Sequence, residues 1–312
     1  MLFNSEITKE EFLRDYWNKR PYLFKGAISG ADELATPEDL RELSEDEDFE
    51  TRVVYKKAGK RKMVHGPISS EDYERYVKKD FALICHNLNT LAPEFYELEK
   101  AVDFVPKWEF DDVMSVYSND GMSLGAHIDN YNVFILQGQG QRTWEIQESP
   151  KVSWRTDEEI KVLEDFKADY SWELGPGDLI YIPPGVAHHG ISKGECLSYS
   201  IGFKSLESVD VIGEYMATLK ESSDSPFFAN NSFNEKSSSD APNGFFPFIK
   251  NQATSLLDKK FEDWFKKRLT RPKFPISTGP TEAPKTYQGI KLQRDVQLKY
   301  ALFLDGLLSI NE

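Results

Sequence analysis

The apolar and polar positions change their rhythm twice along the chain. Near the start, Phe12, Leu13, Tyr16 and Trp17 recur at helical spacing behind Thr8-x-x-Glu11, a capping-box pattern, so the sequence predicts a helix that opens at Thr8. Pro21 stops it, and the following "PYLFKGAI" reads as extended. Thr36-Pro37-Glu38-Asp39-Leu40 announces a second helix, with proline in its first turn. Residues 46–65, with "TRVVYKKAGKRKMVH", predict a hairpin. Helices over 69–78 and 92–102 then flank "FALICHNL", a buried strand.

From about Trp108 the helical spacing gives way to short strand-like runs separated by Gly, Pro and Asn. They are "DDVMSVYS", "YNVFILQ", "QRTWEIQ", "DYSWELG", "DLIYIPP", "GISK" and "CLSYSIGF". Such a series predicts an antiparallel sandwich or barrel, with "QGQG" (137–140) as a hairpin turn between two of the strands. After Lys204 the helical period returns, with Val209, Val211, Ile212, Tyr215, Met216 and Leu219 on one face. A Ser/Asn/Pro-rich stretch reads as a loop, and a further helix over about 248–269 carries Leu256, Leu257, Phe261, Trp264 and Phe265. These two helices either cover the β core or form a dimer. Residues 272–289 read as a linker, and the last residues as strands.

Composition narrows the class. The 39% hydrophobic and 13% aromatic content suits a folded globular chain. No apolar run is long enough to span a membrane, and "MLFNSEITKEEF" carries acids where a signal peptide would be basic, so a cytoplasmic location is expected. The net charge of −14, from 52 acids against 38 bases, argues against a grip on nucleic acid and suits a basic protein partner or simple solubility. Cys85 and Cys196 lie in apolar, strand-like contexts far apart, which points to buried free thiols and excludes a cysteine-rich metal site.

The chemistry gathers around "GAHIDNYN". In an extended strand His127 and Asp129 point to the same face, since side chains alternate with period two. An imidazole beside a hard carboxylate oxygen suits Fe, Mn or Zn and requires a third ligand. Downstream, "LGPGDLIYIPPGVAHHGI" brings a turn, a buried strand and a stiff corner that delivers His188 and His189; His188 follows His127 by 61 residues, enough to sit on another strand of the same barrel. Adjacent strand positions face opposite ways, so only one of the pair can be the ligand. Two histidines and one carboxylate with open positions form the facial triad of non-haem iron oxygenases. In "QRTWEI", Arg142, Trp144 and Ile146 share one face, and the apolar company turns Arg142 inward. A buried guanidinium needs an anion. That anion is either an acid of the protein or the carboxylate of a bound 2-oxo acid, to which Ser118 would add a hydroxyl.

Taken in order, "WEFDDVMSVYS", "GAHIDNYNVFILQGQGQRTWEI", "LGPGDLIYIPPGVAHHG" and "LSYSIGF" resemble the JmjC-type cupin oxygenases, and most nearly the bacterial ribosomal oxygenases. "FLRDYWNKRPYLFKGAI" looks like their opening, and the resemblance covers residues 7–270 or so. It implies a mainly β core, a double-stranded β-helix of cupin or jelly-roll type, with N-terminal α/β elements and a C-terminal helical dimerisation region. It implies Fe(II), with 2-oxoglutarate as co-substrate. The metal triad falls on His127, Asp129 and His188, the co-substrate arginine on Arg142 and the serine ahead of the triad on Ser118. The expected division is 1–107 for flanking helices and strands, 108–204 for the core, 205–271 for dimerisation and 272–312 for a linker and the remnant of a winged-helix-like domain. Only 23 residues follow Gly289, too few for a whole winged helix.

The activity so implied couples decarboxylation of 2-oxoglutarate by dioxygen to hydroxylation of a protein. Its expected target is a basic ribosomal protein, with arginine 3-hydroxylation of large-subunit protein sixteen ahead of histidine hydroxylation. Asp111, Asp112 and Asp120 either meet that arginine or are merely solvated. A metal-binding cupin module without catalysis, and a small-molecule cupin dioxygenase or isomerase, are the rival readings. The first needs no Arg142, and the second lacks the helical appendage. No direct nucleic-acid or membrane contact is expected, and a homodimer is.

Overall fold

The computed structural model describes residues 4–47, 49–90, 93–105, 109–204 and 208–221, isolated helical positions between 247 and 265, and 286–287 with 290–291. The capping box forms at Thr8: the Thr8 hydroxyl accepts from the Glu11 amide while the Glu11 carboxylate accepts from the Thr8 amide, and α1 (Lys9–Asp15) begins there. Extended β1 (Tyr22–Phe24) follows, and α2 (Pro37–Glu45) opens on the same device, built from Thr36 and Asp39. β2 (Thr51–Lys57) and β3 (Lys60–His65) make the expected hairpin, turning on Ala58 and Gly59 with φ of 51° and 76°. Next come α3 (Ser70–Tyr76), the fully buried β4 (Phe81–Cys85) and α4 (Pro93–Ala101).

The remainder of this unit is β5 (Phe110–Ser118), β6 (His127–Ile128), β7 (Asn132–Gln147), β8 (Tyr170–Leu174), β9 (Leu179–Ile182) and β10 (Ala187–Phe203). All pairings are antiparallel, in the order β1-β9-β7-β10-β5-β4-β2-β3, with β6 on β10 and β8 on β7. This is the cupin double-stranded β-helix that the sequence led us to expect.

Two expectations are corrected. "QGQG" is no hairpin turn: β7 is one strand of 16 residues that runs straight through it. "GISK" and "CLSYSIGF" likewise fuse into the 17 residues of β10. The glycines serve a bulge instead. The β7–β10 register jumps between Lys193 and Leu197, and a Cβ at Gly140, whose φ is +69°, would lie 2.1 Å from the Glu195 carbonyl oxygen. Each long strand thereby contributes to both layers of the core. The first half of β7 pairs with β9 and the second half with β8.

Side-chain alternation explains how this core fills. Val133, Ile135, Ile180 and Ile182 pack inward against Trp144, Ile146 and Leu174. Phe134 and Tyr181 point the other way, where α1 covers them: the Phe12 ring lies 4.9 Å and the Trp17 ring 5.4 Å from that of Tyr181. Strands covered on both faces lose the polar half of their pattern. Hence Asn132–Gly138 is buried throughout.

The chain divides after Ser205, with Leu206–Ile276 and Pro280–Glu312 forming a second unit. There α5 (Ser208–Glu221) buries Val211 and Tyr215. Rings of Phe261 and Trp264 lie 5.0 and 5.1 Å from that of Tyr215. Val209 and Ile212, placed on the apolar face by the sequence, are exposed. Most of the anticipated linker and terminal strands lies outside the described residues. Among the described residues, no helix is long and apolar enough to cross a membrane.

Candidate functional site

β6 is only two residues long, and it pairs His127 with His188 of β10. Asp129 follows on the same face, so the three side chains each offer a ligand atom, all within 4.8 Å of one another. The His127 and His188 rings are 4.3 Å apart at their centroids, and His188 Nε2 lies 3.5 Å from Asp129 Oδ2. Both imidazoles are oriented in the same manner. His127 Nδ1 is 2.9 Å from the Gly125 carbonyl oxygen, and His188 Nδ1 is 3.2 Å from that of Val186. A carbonyl oxygen only accepts, so Nδ1 carries the proton in each ring and Nε2 presents its lone pair.

Electrostatics favours the state a cation needs. Burial, reinforced by the neighbouring His188, pushes His127 down to about 4, which keeps it neutral at physiological pH. Burial pulls Asp129 upward, but the adjoining imidazoles of His188 and His127 outweigh that pull, so it is held below the ordinary aspartate value. The Tyr131 hydroxyl donates to the same carboxylate. His189 faces outward, as alternation requires: its Nδ1 lies 2.9 Å from Glu145 Oε2 and its ring rests against Phe166.

The second half of β7 and the first half of β10 carry the rest. Arg142 pairs with Ser192, Trp144 with Gly190 and Ile146 with His188. On β7, Arg142, Trp144 and Ile146 are all buried, whereas Gln141, Thr143 and Glu145 on the opposite face are not. Arg142 Nη2 donates to Ser118 Oγ at 2.8 Å, which in turn lies 2.7 Å from Ser192 Oγ. Arg142 Nε donates to the Cys196 sulfur at 3.2 Å. Among the described residues, no carboxylate pairs with this guanidinium.

Trp144 stands between the two groups, its ring 5.7 Å from that of His188 and 5.9 Å from the Arg142 guanidinium carbon. Gly190 makes room for it, since a Cβ there would come within 2.9 Å of the ring. The buried Trp144 Nε1 has no hydrogen-bond partner among the described residues. An unpaired buried donor is costly unless something fills the space beside it. Four residues of strand, about 13 Å of backbone, separate the Ser192 row from the His188 row.

All five residues singled out from the sequence therefore line one interior. Sequence reasoning missed Ser192, Tyr131 and Cys196. The first two follow the same period-two logic, four positions after His188 and two after Asp129. Cys196 comes to Arg142 only through the bulge. Of the candidate acids, Asp112 is buried 3.2 Å from His86 Nδ1, and Asp120 accepts from the Gly194 amide at 2.7 Å. Both cysteines are buried and free, and burial pushes Cys85 up to about 12.

Residues 97–211 match the JmjC domain family. A Haemophilus influenzae protein described as a probable ribosomal oxygenase is 32% identical over 202 residues, 64% of this chain and 50% of that protein. The Escherichia coli ribosomal protein uL16 3-hydroxylase is 29% identical over 216 residues, 69% of this chain and 57% of that protein. The chain thus spans about half the length of these relatives. A crystal structure of E. coli YcfD superposes with a TM-score of 0.82 at 24% identity, over 91% of this chain and 77% of that one. Another, of YcfD with cobalt and succinic acid, gives 0.78 at 25% identity over 90% and 76%.

Proposed function

Because residues 97–211 match the JmjC domain family, we propose that the chain is a 2-oxoglutarate- and Fe(II)-dependent protein hydroxylase acting on a ribosomal protein. The donor set supports the metal: two imidazole nitrogens and a carboxylate within 4.8 Å suit a divalent first-row cation and leave positions open. His127, Asp129 and His188 would hold it. The chemistry that iron held there would supply is oxidative decarboxylation of the 2-oxo acid by dioxygen, coupled to insertion of one oxygen atom into a C–H bond of the protein substrate. The observation that carries the reading is Arg142, a buried guanidinium whose partners are a hydroxyl and a thiol. The distal carboxylate of 2-oxoglutarate satisfies it, with Ser118 as a second donor. Trp144 and the surrounding aliphatic side chains exclude water from the space between anchor and triad.

For the substrate we propose arginine 3-hydroxylation of uL16, in line with the E. coli relative's described activity. The net charge of −14 suits a basic target. We further propose residues 205–271 as a dimerising region, to which the exposed Val209 and Ile212 would contribute. The test is mass spectrometry of ribosomal proteins treated with enzyme, Fe(II) and 2-oxoglutarate in air. Gain of one oxygen atom on an arginine of uL16 is the expected result. The same gain on a histidine of another ribosomal protein overturns the substrate, and no gain on any of them overturns the activity.

A further inference from the structure

We infer that Arg61 and Glu158 form a positioning pair for His127, gripping its strand from outside the pocket; this builds on the metal-site reading above. The sequence marks "GKRK" only as the basic side of a hairpin. In the fold, β3 meets the segment that links β7 to β8. Arg61 Nη1 lies 3.0 Å from Glu158 Oε1, with the acid side chain 1% and the arginine side chain 14% exposed. The second oxygen of Glu158 accepts from the Arg61 amide at 2.6 Å.

From there a chain of bonds leads to the metal-facing ring. Arg61 Nε donates to the Ser123 carbonyl at 2.9 Å. The Gly125 amide donates to the Ser123 hydroxyl at 3.0 Å, and His127 Nδ1 donates to the Gly125 carbonyl at 2.9 Å. The linking segment closes on the same stretch, as the Leu163 amide donates to the Ala126 carbonyl at 2.8 Å. Gly125 has a φ of +92°, and a Cβ there would lie 2.8 Å from Val162 Cγ2 and 3.1 Å from Arg61 Cζ. Residues 123–127 therefore have no slack: a guanidinium fixes one carbonyl, the linking segment fixes the next, and the imidazole hangs from the carbonyl between them.

Burial separates this pair from its neighbours. Lys60–Asp157 and Lys62–Glu159 flank it on the same two segments, but their side chains are 35–47% exposed. Such pairs are screened and weak. Glu158 is not: without its charge, the enclosed guanidinium loses its partner and turns toward water, which releases Ser123. Groups that orient a ligating histidine typically change metal affinity by 10- to 100-fold.

The experiment is an anaerobic calorimetric titration of Mn(II) into the purified full chain, well below its melting temperature, with the melting temperature measured alongside. Glu158→Gln is expected to weaken Mn(II) binding about tenfold. Arg61→Lys keeps a positive charge for Glu158 but loses the bond to Ser123; it is expected to weaken binding with little change in melting temperature, and it carries the test if Glu158→Gln does not fold. Glu159→Gln serves as control and should change neither quantity. With Co(II), the visible absorption of Arg61→Lys should shift as the imidazole moves. Unchanged Mn(II) affinity in the folded variants, even with a lowered melting temperature, makes the pair merely structural and overturns the inference. A wild-type protein that binds no Mn(II) refutes the metal site itself, and this inference with it.

Discussion

The two halves of β7 share one strand and one hydrogen-bonding partner, yet they do different work. Asn132–Leu136 is buried on both faces, by the cupin interior on one side and by the aromatic rings of α1 on the other. In Arg142–Gln147 only one face is buried, and that face bears a guanidinium whose partners are a hydroxyl and a thiol, and an indole N–H with no acceptor among the described residues. The first half is packed with apolar side chains from Val133 to Leu136. The second encloses polar groups for the sake of a ligand. The lesson is that stability and chemistry are separable along a single strand, and substitutions in each half should show it.

The largest effect is expected at the triad. His127→Ala should abolish protein hydroxylation while the melting temperature stays near that of the metal-free wild type; hydroxylation persisting in a mass-spectrometric assay would show that His127 holds no essential metal. Next comes the structural half. Phe12→Ala removes the ring that packs on Phe134 and Tyr181, and it should destabilise the fold by about 3–5 kcal/mol, read from urea unfolding. Turnover by the protein that remains folded should be unaltered, and a loss of turnover beyond the folded fraction would deny the separation.

A smaller effect is expected at Asp178, in the turn between β8 and β9. Its carboxylate accepts from Lys25 Nζ and from the amides of Gly26 and Gly175. Asp178→Asn should cost about 1–3 kcal/mol at pH 7. Burial raises this group and the three donors lower it further, so its folded-state value lies below the ordinary one. The stabilisation is then complete above the unfolded-state value of about 3.9 and is lost as the pH falls through the folded-state value. The gap in urea midpoint between wild type and variant should therefore narrow in acid, and a gap that widens would contradict the assignment. Smallest of all is His189→Gln: the ring lies on the outer face against Glu145, away from the triad, and Mn(II) affinity should change less than about twofold, as expected for a partly exposed pair.

Much of this was legible from the sequence, and for definite reasons. Period-two alternation placed His127 with Asp129, separated His188 from His189 and turned Arg142 inward. The capping boxes at Thr8 and Thr36 are local chemistry and marked helix starts to the residue. What escaped was non-local. "QGQG" suits a hairpin turn and a bulge equally well from its own residues; the choice is made by Glu195, on another strand. The partnership of Arg61 and Glu158 spans 97 positions and leaves no periodic trace. The expected division into four parts drew its later boundaries from resemblance, and most of those residues lie outside the described ones.

The central claim is that the Arg142 face and the triad form one binding site, filled by a metal and a 2-oxo dicarboxylate together. The most direct measurement is an anaerobic calorimetric titration of 2-oxoglutarate into Mn(II)-loaded protein, wild type against Arg142→Ala. Loss of one partner of a buried charge pair costs about 2–5 kcal/mol, so the variant should bind 2-oxoglutarate at least 30-fold more weakly with its Mn(II) affinity unchanged. Equal 2-oxoglutarate affinity in the two proteins would contradict the account.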